Sequence, residues 1–159
     1  MNSEIYAETL NMCDRHADRL QWAMNQMSKH IPFTAQSLDT LEDIDIAILD
    51  QFSTRFSKLQ DLMGVKLFPM VLDLTKEHGD LNSFIDKLNR LEKIGAIPSA
   101  NAWLQLREMR NSFSHEYPDA LDMQAAILNK AFLLARELLA ILHSVQKFAE
   151  KYREGSTLK

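Results

Sequence analysis

The chain has 159 residues, a length that suits one domain with a core large enough to need no covalent or metal staple. Apolar residues make up 46% and charged residues 25%, which excludes a largely disordered chain, and only 4 Gly and 4 Pro leave too few turn residues for an all-β fold. A net charge of −4 disfavours a general nucleic-acid coat protein, and the lone cysteine, Cys13, excludes an intrachain disulfide or a cysteine-based zinc site.

Tyr6, Leu10, Cys13, Ala17, Leu20, Met24, Met27 and Ile31 alternate at gaps of four and three, the stripe of a helix on a bundle seam that Pro32 ends. A loop is expected from Phe33 to about Asp39. The second helix carries Leu41, Ile44, Ile48, Phe52, Phe56, Leu59 and Met63, with Thr40 or Asp39 as its cap. Leu67, Phe68, Val71 and Leu74 continue the pattern around Pro69. Residues 41–76 therefore read as one helix kinked near Gly64 and Pro69, or as two helices in tandem.

His78-Gly79-Asp80 predicts a break. A shorter helix follows from about Leu81 to Ile94, with Lys87, Arg90 and Lys93 on its polar side and Gly95 as the residue that closes it. Ser99 is placed to cap the next helix, which holds Trp103, Leu106, Met109 and Phe113 and must end near Glu116, ahead of Pro118. Asp119 or Asp122 opens the last and longest helix. Leu121, Ala125, Leu128, Phe132, Ala135, Leu139 and Leu142 mark its apolar stripe to about Tyr152. The expected architecture is all-α, an up-and-down bundle of five to six helices over residues 1–154, with a frayed tail at 155–159.

Several chemistries lack their motif. There is no Glu-x-x-His for a di-metal bundle, no His-Glu-x-x-His and no glycine-rich phosphate loop, so neither a metal nor a cofactor is expected. Cys13 lies in the apolar stripe and reads as inert core. His16, His30, His78 and His143 are scattered without partners at ligand spacing. The segment Leu106–Pro118 is different. At about 100° per residue, Leu106, Met109 and Phe113 share an apolar face. Arg107, Glu108, Asn111, Ser114 and His115 share a polar one, and Arg110 sits at the border. A cation, an amide and an imidazole within one and a half turns suit metal-free phosphodiester chemistry. The histidine moves the proton of a ribose 2′-OH, and the arginine holds the phosphate. On an ideal helix Arg110 and His115 point about 140° apart, which favours two chains completing one cleft. As bare residues, the same set also fits an ordinary polar helix end, where histidine suits the negative dipole.

Arg110-Asn111-Ser112-Phe113-Ser114-His115-Glu116-Tyr117 has the form R-x4-H-x-Y with Asn after the Arg. It resembles the signature of the HEPN superfamily (higher eukaryotes and prokaryotes nucleotide-binding), and more closely that of HepT-type toxins. The approach from Trp103 to Asn111 and the all-α pattern of the whole chain resemble that family too. The resemblance implies a metal-independent endoribonuclease of a toxin–antitoxin pair, dimeric across the face from Arg110 to Tyr117. Arg110, Asn111 and His115 would be catalytic. Tyr117 would be the residue that a partner, a minimal nucleotidyltransferase antitoxin, modifies with AMP. Arg107, Ser114, Lys87, Arg90 and Lys93 are candidate contacts to RNA phosphates, and for the lysines and arginines a solvated face is the competing reading. The alternative functions are a non-catalytic nucleotide- or substrate-binding subunit of a small nucleotidyltransferase and a purely structural helical adaptor. Cysteine usage and the start of the chain predict a reducing, cytoplasmic setting without a signal peptide, and no run approaches the ~18 apolar residues of a membrane span.

Overall fold

The structure is a computed structural model that describes residues 3–76, 81, 83–114 and 120–157, of which 154–157 are described in backbone only. Among the described residues every regular element is helical. Helix α1 (Ser3–Gln26) buries Tyr6, Cys13, Leu20 and Met24 from the predicted stripe, and Ala23 beside them. It ends at Gln26, and a 3-10 turn, Ser28–His30, carries the chain to Pro32, whose bond to Ile31 is cis.

The expected loop holds a short helix, α2 (Ala35–Asp39). Ser37 N–H donates to Thr34 Oγ1 at 3.0 Å and Thr34 N–H donates to Ser37 Oγ at 2.9 Å. This reciprocal box opens a helix too brief to reveal a hydrophobic period. Thr40 closes α2 and so does not cap the next helix, and Asp39 is α2's last residue. The cap of α3 (Asp43–Leu62) is Glu42, whose N–H donates to Asp45 Oδ2 at 3.1 Å. The carboxylates at Asp43 and Asp45 also suit the positive end of the helix.

The segment with alternative readings is one continuous run. α3 passes through a π turn, Met63–Leu67, into α4 (Phe68–Leu74). Pro69 has no N–H, and its ring crowds the carbonyl one turn back, at Val65. Widening the turn removes that conflict, and Phe68 N–H reaches Met63 O instead. The wide turn brings Gly64 onto the indole of Trp103. A Cβ at Gly64 would lie 3.5 Å from Trp103 Cζ2, so the backbone approaches the ring closely there.

Residues 77–80 and 82 lie outside the described residues, and with them the expected break at His78-Gly79-Asp80. α5 (Phe84–Lys93) starts at Ser83, whose Oγ accepts from Asp86 N–H at 3.1 Å. It ends as predicted at Gly95, which has φ +86°. Ala96 N–H donates to Leu91 O at 2.9 Å and Gly95 N–H to Glu92 O at 3.1 Å, which satisfies the last carbonyls. α6 (Ala100–Ser112) begins with Ser99 Oγ accepting from Ala102 N–H at 3.1 Å, while Glu92 Oε1 accepts from Ala100 N–H at 3.0 Å. α7 (Leu121–Thr157) continues beyond Tyr152 and through Gly155, where a tail was expected. A glycine inside a helix costs only about 1 kcal/mol, so the propensity break at Gly155 does not stop the run.

α1 lies chiefly along α3, α5 lies against α4 and α6, and α7 touches α1, α2, α3, α4 and α6. One contiguous core joins them. Its centre is aromatic: Phe52 stacks on Phe132 at 4.2 Å, Phe33 meets Phe132 edge-on at 5.4 Å, and Phe113 meets Phe56 edge-on at 5.2 Å. Each fully buried phenylalanine contributes about 1.5–3 kcal/mol of transfer free energy. Phe113 sits at the end of α6, so this cluster fixes where that helix end lies. No described helix is long and apolar enough to cross a membrane.

Candidate functional site

α6 positions the described part of the Arg-to-His segment. Trp103, Leu106 and Met109 are buried, which turns Arg107, Glu108 and Asn111 outward. Arg110 lies between the two faces, with 37% of its side chain exposed. The helix stops at Ser112, not near Glu116. Ser112 Oγ donates to Met109 O at 2.7 Å, and Ser114 Oγ donates to Asn111 O at 2.8 Å. Phe113 N–H and Ser114 N–H turn back to Arg110 O and Asn111 O, each at 3.3 Å, in a tightened last turn. Two serines within three residues thus offer the last carbonyls other donors. The 140° separation between Arg110 and His115 assumed a helix through His115, so it does not apply. His115, Glu116, Tyr117, Pro118 and Asp119 lie outside the described residues.

A cleft of about 490 Å³ opens beside Arg110, a size within the range of small-ligand sites. Arg107, Arg110 and Asn111 from α6, Lys87 and Phe84 from α5, Gln60 and Asp61 from α3, Gly64 and Val65 from the π turn, and Pro69 from α4 line it. Three cations and one carboxylate therefore face the same space. The positive charge is local, since the whole chain is negative. Arg107 stands over the Phe84 ring, its Cζ 5.1 Å from the centroid, an attraction that holds the cation at the cleft wall.

Asp61 is the residue that sequence reasoning missed. Arg110 Nε donates to Asp61 Oδ1 at 3.0 Å and Arg110 Nη2 donates to Asp61 Oδ2 at 2.9 Å. This two-pronged pair holds the guanidinium edge-on, and the hydrogen bonds and charge of Asp61 push the Arg110 pKa further up, so the group stays cationic. On the sequence Asp61 is an ordinary solvated helix carboxylate far from Arg110, and no spacing signals the pair. Gly64 and Pro69 did signal irregular backbone, and that irregularity supplies one cleft wall.

The basic residues proposed from sequence separate. Lys87 joins Arg107, Arg110 and Asn111 in the cleft, whereas Arg90 and Lys93 border a different depression with Leu81, Asp86 and Asn89. Positions 87 and 93 differ by about 120° around an ideal helix, which accounts for the separation of Lys93 from Lys87, and position 90 lies midway between them. Ser114 is exposed and its hydroxyl is bonded to Asn111 O. The other polar candidates lie elsewhere. His16 Nδ1 meets Arg55 Nη1 at 2.9 Å on the α1–α3 face, His30 Nε2 lies 3.5 Å from Asp45 Oδ1, and His143 is exposed. Cys13 is fully buried, and that burial, with Asp14 adding to it, pushes its thiol up to about 12, which keeps it un-ionised and unreactive.

No protein-family model matches the chain, and no curated protein matches it.

Proposed function

We propose that the chain is a metal-independent endoribonuclease of the HEPN type, the toxin of a toxin–antitoxin pair. One observation carries this reading: Arg107, Arg110 and Asn111 of α6 share an open cleft with Lys87 of α5, and in the sequence His115 follows five residues after Arg110. Three cations at one cleft suit an RNA backbone, and Arg110 matches phosphate geometry through its fork. In this mechanism His115 takes the proton of a ribose 2′-OH. The 2′ oxygen attacks the adjacent phosphorus, and the bond from phosphorus to the 5′ oxygen breaks as that oxygen takes up a proton. The products are a 2′,3′-cyclic phosphate and a free 5′-OH. Arg110 neutralises the charge that gathers on the phosphoryl oxygens, and Asn111 orients the imidazole or the phosphate.

The roles of His115 and Tyr117 rest on the R-x4-H-x-Y string alone. In the same reading two chains meet through the Arg110–Tyr117 face. A nucleotidyltransferase antitoxin silences the toxin by transferring AMP to the Tyr117 hydroxyl, which adds negative charge and bulk where an RNA phosphate would approach.

A second reading has its own support. Phe84, Val65 and Pro69 add apolar lining beside the cleft's cations, a pairing that suits the base and phosphate of a nucleotide held without cleavage. That would make the chain a nucleotide- or substrate-binding subunit of a small nucleotidyltransferase.

Purified protein incubated with total RNA in EDTA separates the two. The nuclease reading expects cleavage, reduced by about 10²- to 10⁴-fold in a folded His115→Ala variant. Protein that carries no AMP by mass and leaves RNA intact, yet binds a nucleotide in an Arg110-dependent manner, would establish the second reading instead.

A further inference from the structure

We propose that Asp61 is an internal competitor for Arg110, a carboxylate latch that an incoming phosphate must displace before it can take the Nε–Nη2 edge of the guanidinium. The inference rests on the phosphate-binding role of the cleft proposed above, and it adds a control that lies outside the Arg-to-His segment. Asp61 Oδ1 and Oδ2 occupy Arg110 Nε and Nη2 at 3.0 and 2.9 Å, the edge-on arrangement in which a guanidinium also takes two phosphate oxygens. Both groups line the cleft, so an anion held there meets the carboxylate as well as the guanidinium. A phosphate and Asp61 cannot share that edge.

The strength of the pair fits a latch. The two side chains are 37% and 48% exposed, so water and salt screen their attraction and the pair opens at low cost. A deeply buried pair would lock Arg110 permanently. Lys87 and Arg107 face the same cleft, and Arg107 is held over Phe84 without an anion among the described residues. A phosphate chain reaching those two cations has attraction that a single carboxylate lacks, and it takes Arg110 from Asp61 by adding to that attraction. An anion that meets Arg110 alone, on the edge Asp61 fills, lacks that added attraction. The latch therefore selects for ligands with several phosphates in a row, such as a polynucleotide backbone or a pyrophosphate, over a lone monophosphate.

The test measures binding of a fluorescein-labelled, 2′-O-methyl single-stranded RNA, which lacks the attacking hydroxyl, and separately of inorganic pyrophosphate. Wild type, Asp61→Ala, Arg110→Gln and the double variant are compared. Asp61 lies on the exposed side of a helix and alanine is the best helix former, so the variant keeps the fold, which circular dichroism checks. The latch predicts that Asp61→Ala binds both probes roughly three- to tenfold more tightly than wild type, and that the gain shrinks below about twofold in the Arg110→Gln background. Weaker binding in Asp61→Ala would overturn the latch and make Asp61 a residue that positions Arg110. A gain that persists without Arg110 would overturn it too, since Asp61 would then act only through its general field. Arg110-dependent RNA binding that Asp61→Ala leaves unchanged removes the latch and keeps the nuclease reading. A gain for pyrophosphate with no RNA binding in any variant keeps the latch and removes the nuclease reading. Failure of every variant to bind either probe removes both.

Discussion

Arg110 and His16 illustrate how one partner decides what a side chain can do. Arg110 is exposed enough to meet a ligand, yet its edge is already filled by Asp61. His16 is held the other way. Burial first, and then the positive charges of Arg55, Lys58 and Arg15, push its pKa below the usual value. Its Nδ1 meets Arg55 Nη1 at 2.9 Å, a bond that requires the neutral ring to accept. The sign of the stability effect follows. The folded state binds this proton less readily than the unfolded state, so stability is full above the unfolded value of about 6.5 and is lost as pH falls toward the lowered folded value. Urea midpoints at about pH 7.5 and about pH 5.5 will show a larger acid loss in wild type than in His16→Gln. Equal losses in the two proteins would remove His16 from the acid response.

Elements in this protein are set by local chemistry at their ends and by tertiary clamps where local chemistry is silent. Gly95 and Ser99 act within a few residues, closing α5 and opening α6 where the sequence predicted, while Ser83 opens α5 later than the expected start near Leu81. Phe33, between Pro32 and the Thr34–Ser37 box, has its backbone groups bonded by neither. Asn129 of α7 holds it from across the fold: Phe33 N–H donates to Asn129 Oδ1 at 2.7 Å, and Asn129 Nδ2 donates to Phe33 O at 2.9 Å. Both backbone groups sit beside a buried phenylalanine, so losing their partner leaves them poorly solvated. Asn129→Ala should cost about 1–3 kcal/mol in urea unfolding, and Asn129→Asp, which sets a carboxylate oxygen against Phe33 O where the donor stood, should not restore the wild-type midpoint. The same balance explains why the helix carrying Arg110 stops early. Ser112 and Ser114 donate their hydroxyls to the carbonyls of Met109 and Asn111 while Phe113 is drawn into the Phe52–Phe56 cluster. The sequence places both serines and Phe113, but whether Pro118 or the serines end the helix depends on how firmly Phe113 is anchored.

At the scale of the whole molecule, charge is sorted by folding. The chain carries −4 in total, yet Lys87, Arg107 and Arg110 meet at one cleft while Arg90 and Lys93 are turned to another face. If the cleft takes an RNA backbone, affinity for the uncleavable RNA must fall as salt rises, because each neutralised phosphate releases counterions. Lys87→Ala should lower the salt dependence by about one in the log–log slope, and Lys93→Ala should leave it unchanged. Equal slopes for the two variants would take Lys87 out of the binding surface.

The all-α character, the core stripes of α1 and α7, the caps of α5 and α6 and the irregular backbone near Gly64 and Pro69 are written in the sequence, because each arises from residues within a turn or two of one another. Arg107, Arg110 and Asn111 are legible as one set for the same reason, since they lie within about one turn of a single helix. The tertiary structure alone decided that Lys87 joins them and Arg90 does not, that the π turn becomes a cleft wall, and that Asp61 holds Arg110. Those facts depend on how three helices are brought side by side. The rotation of each helix is set by its buried residues, and polar residues on the opposite faces meet as a consequence. No periodicity along the chain encodes that meeting, because their spacing in sequence is unrelated to their distance in space.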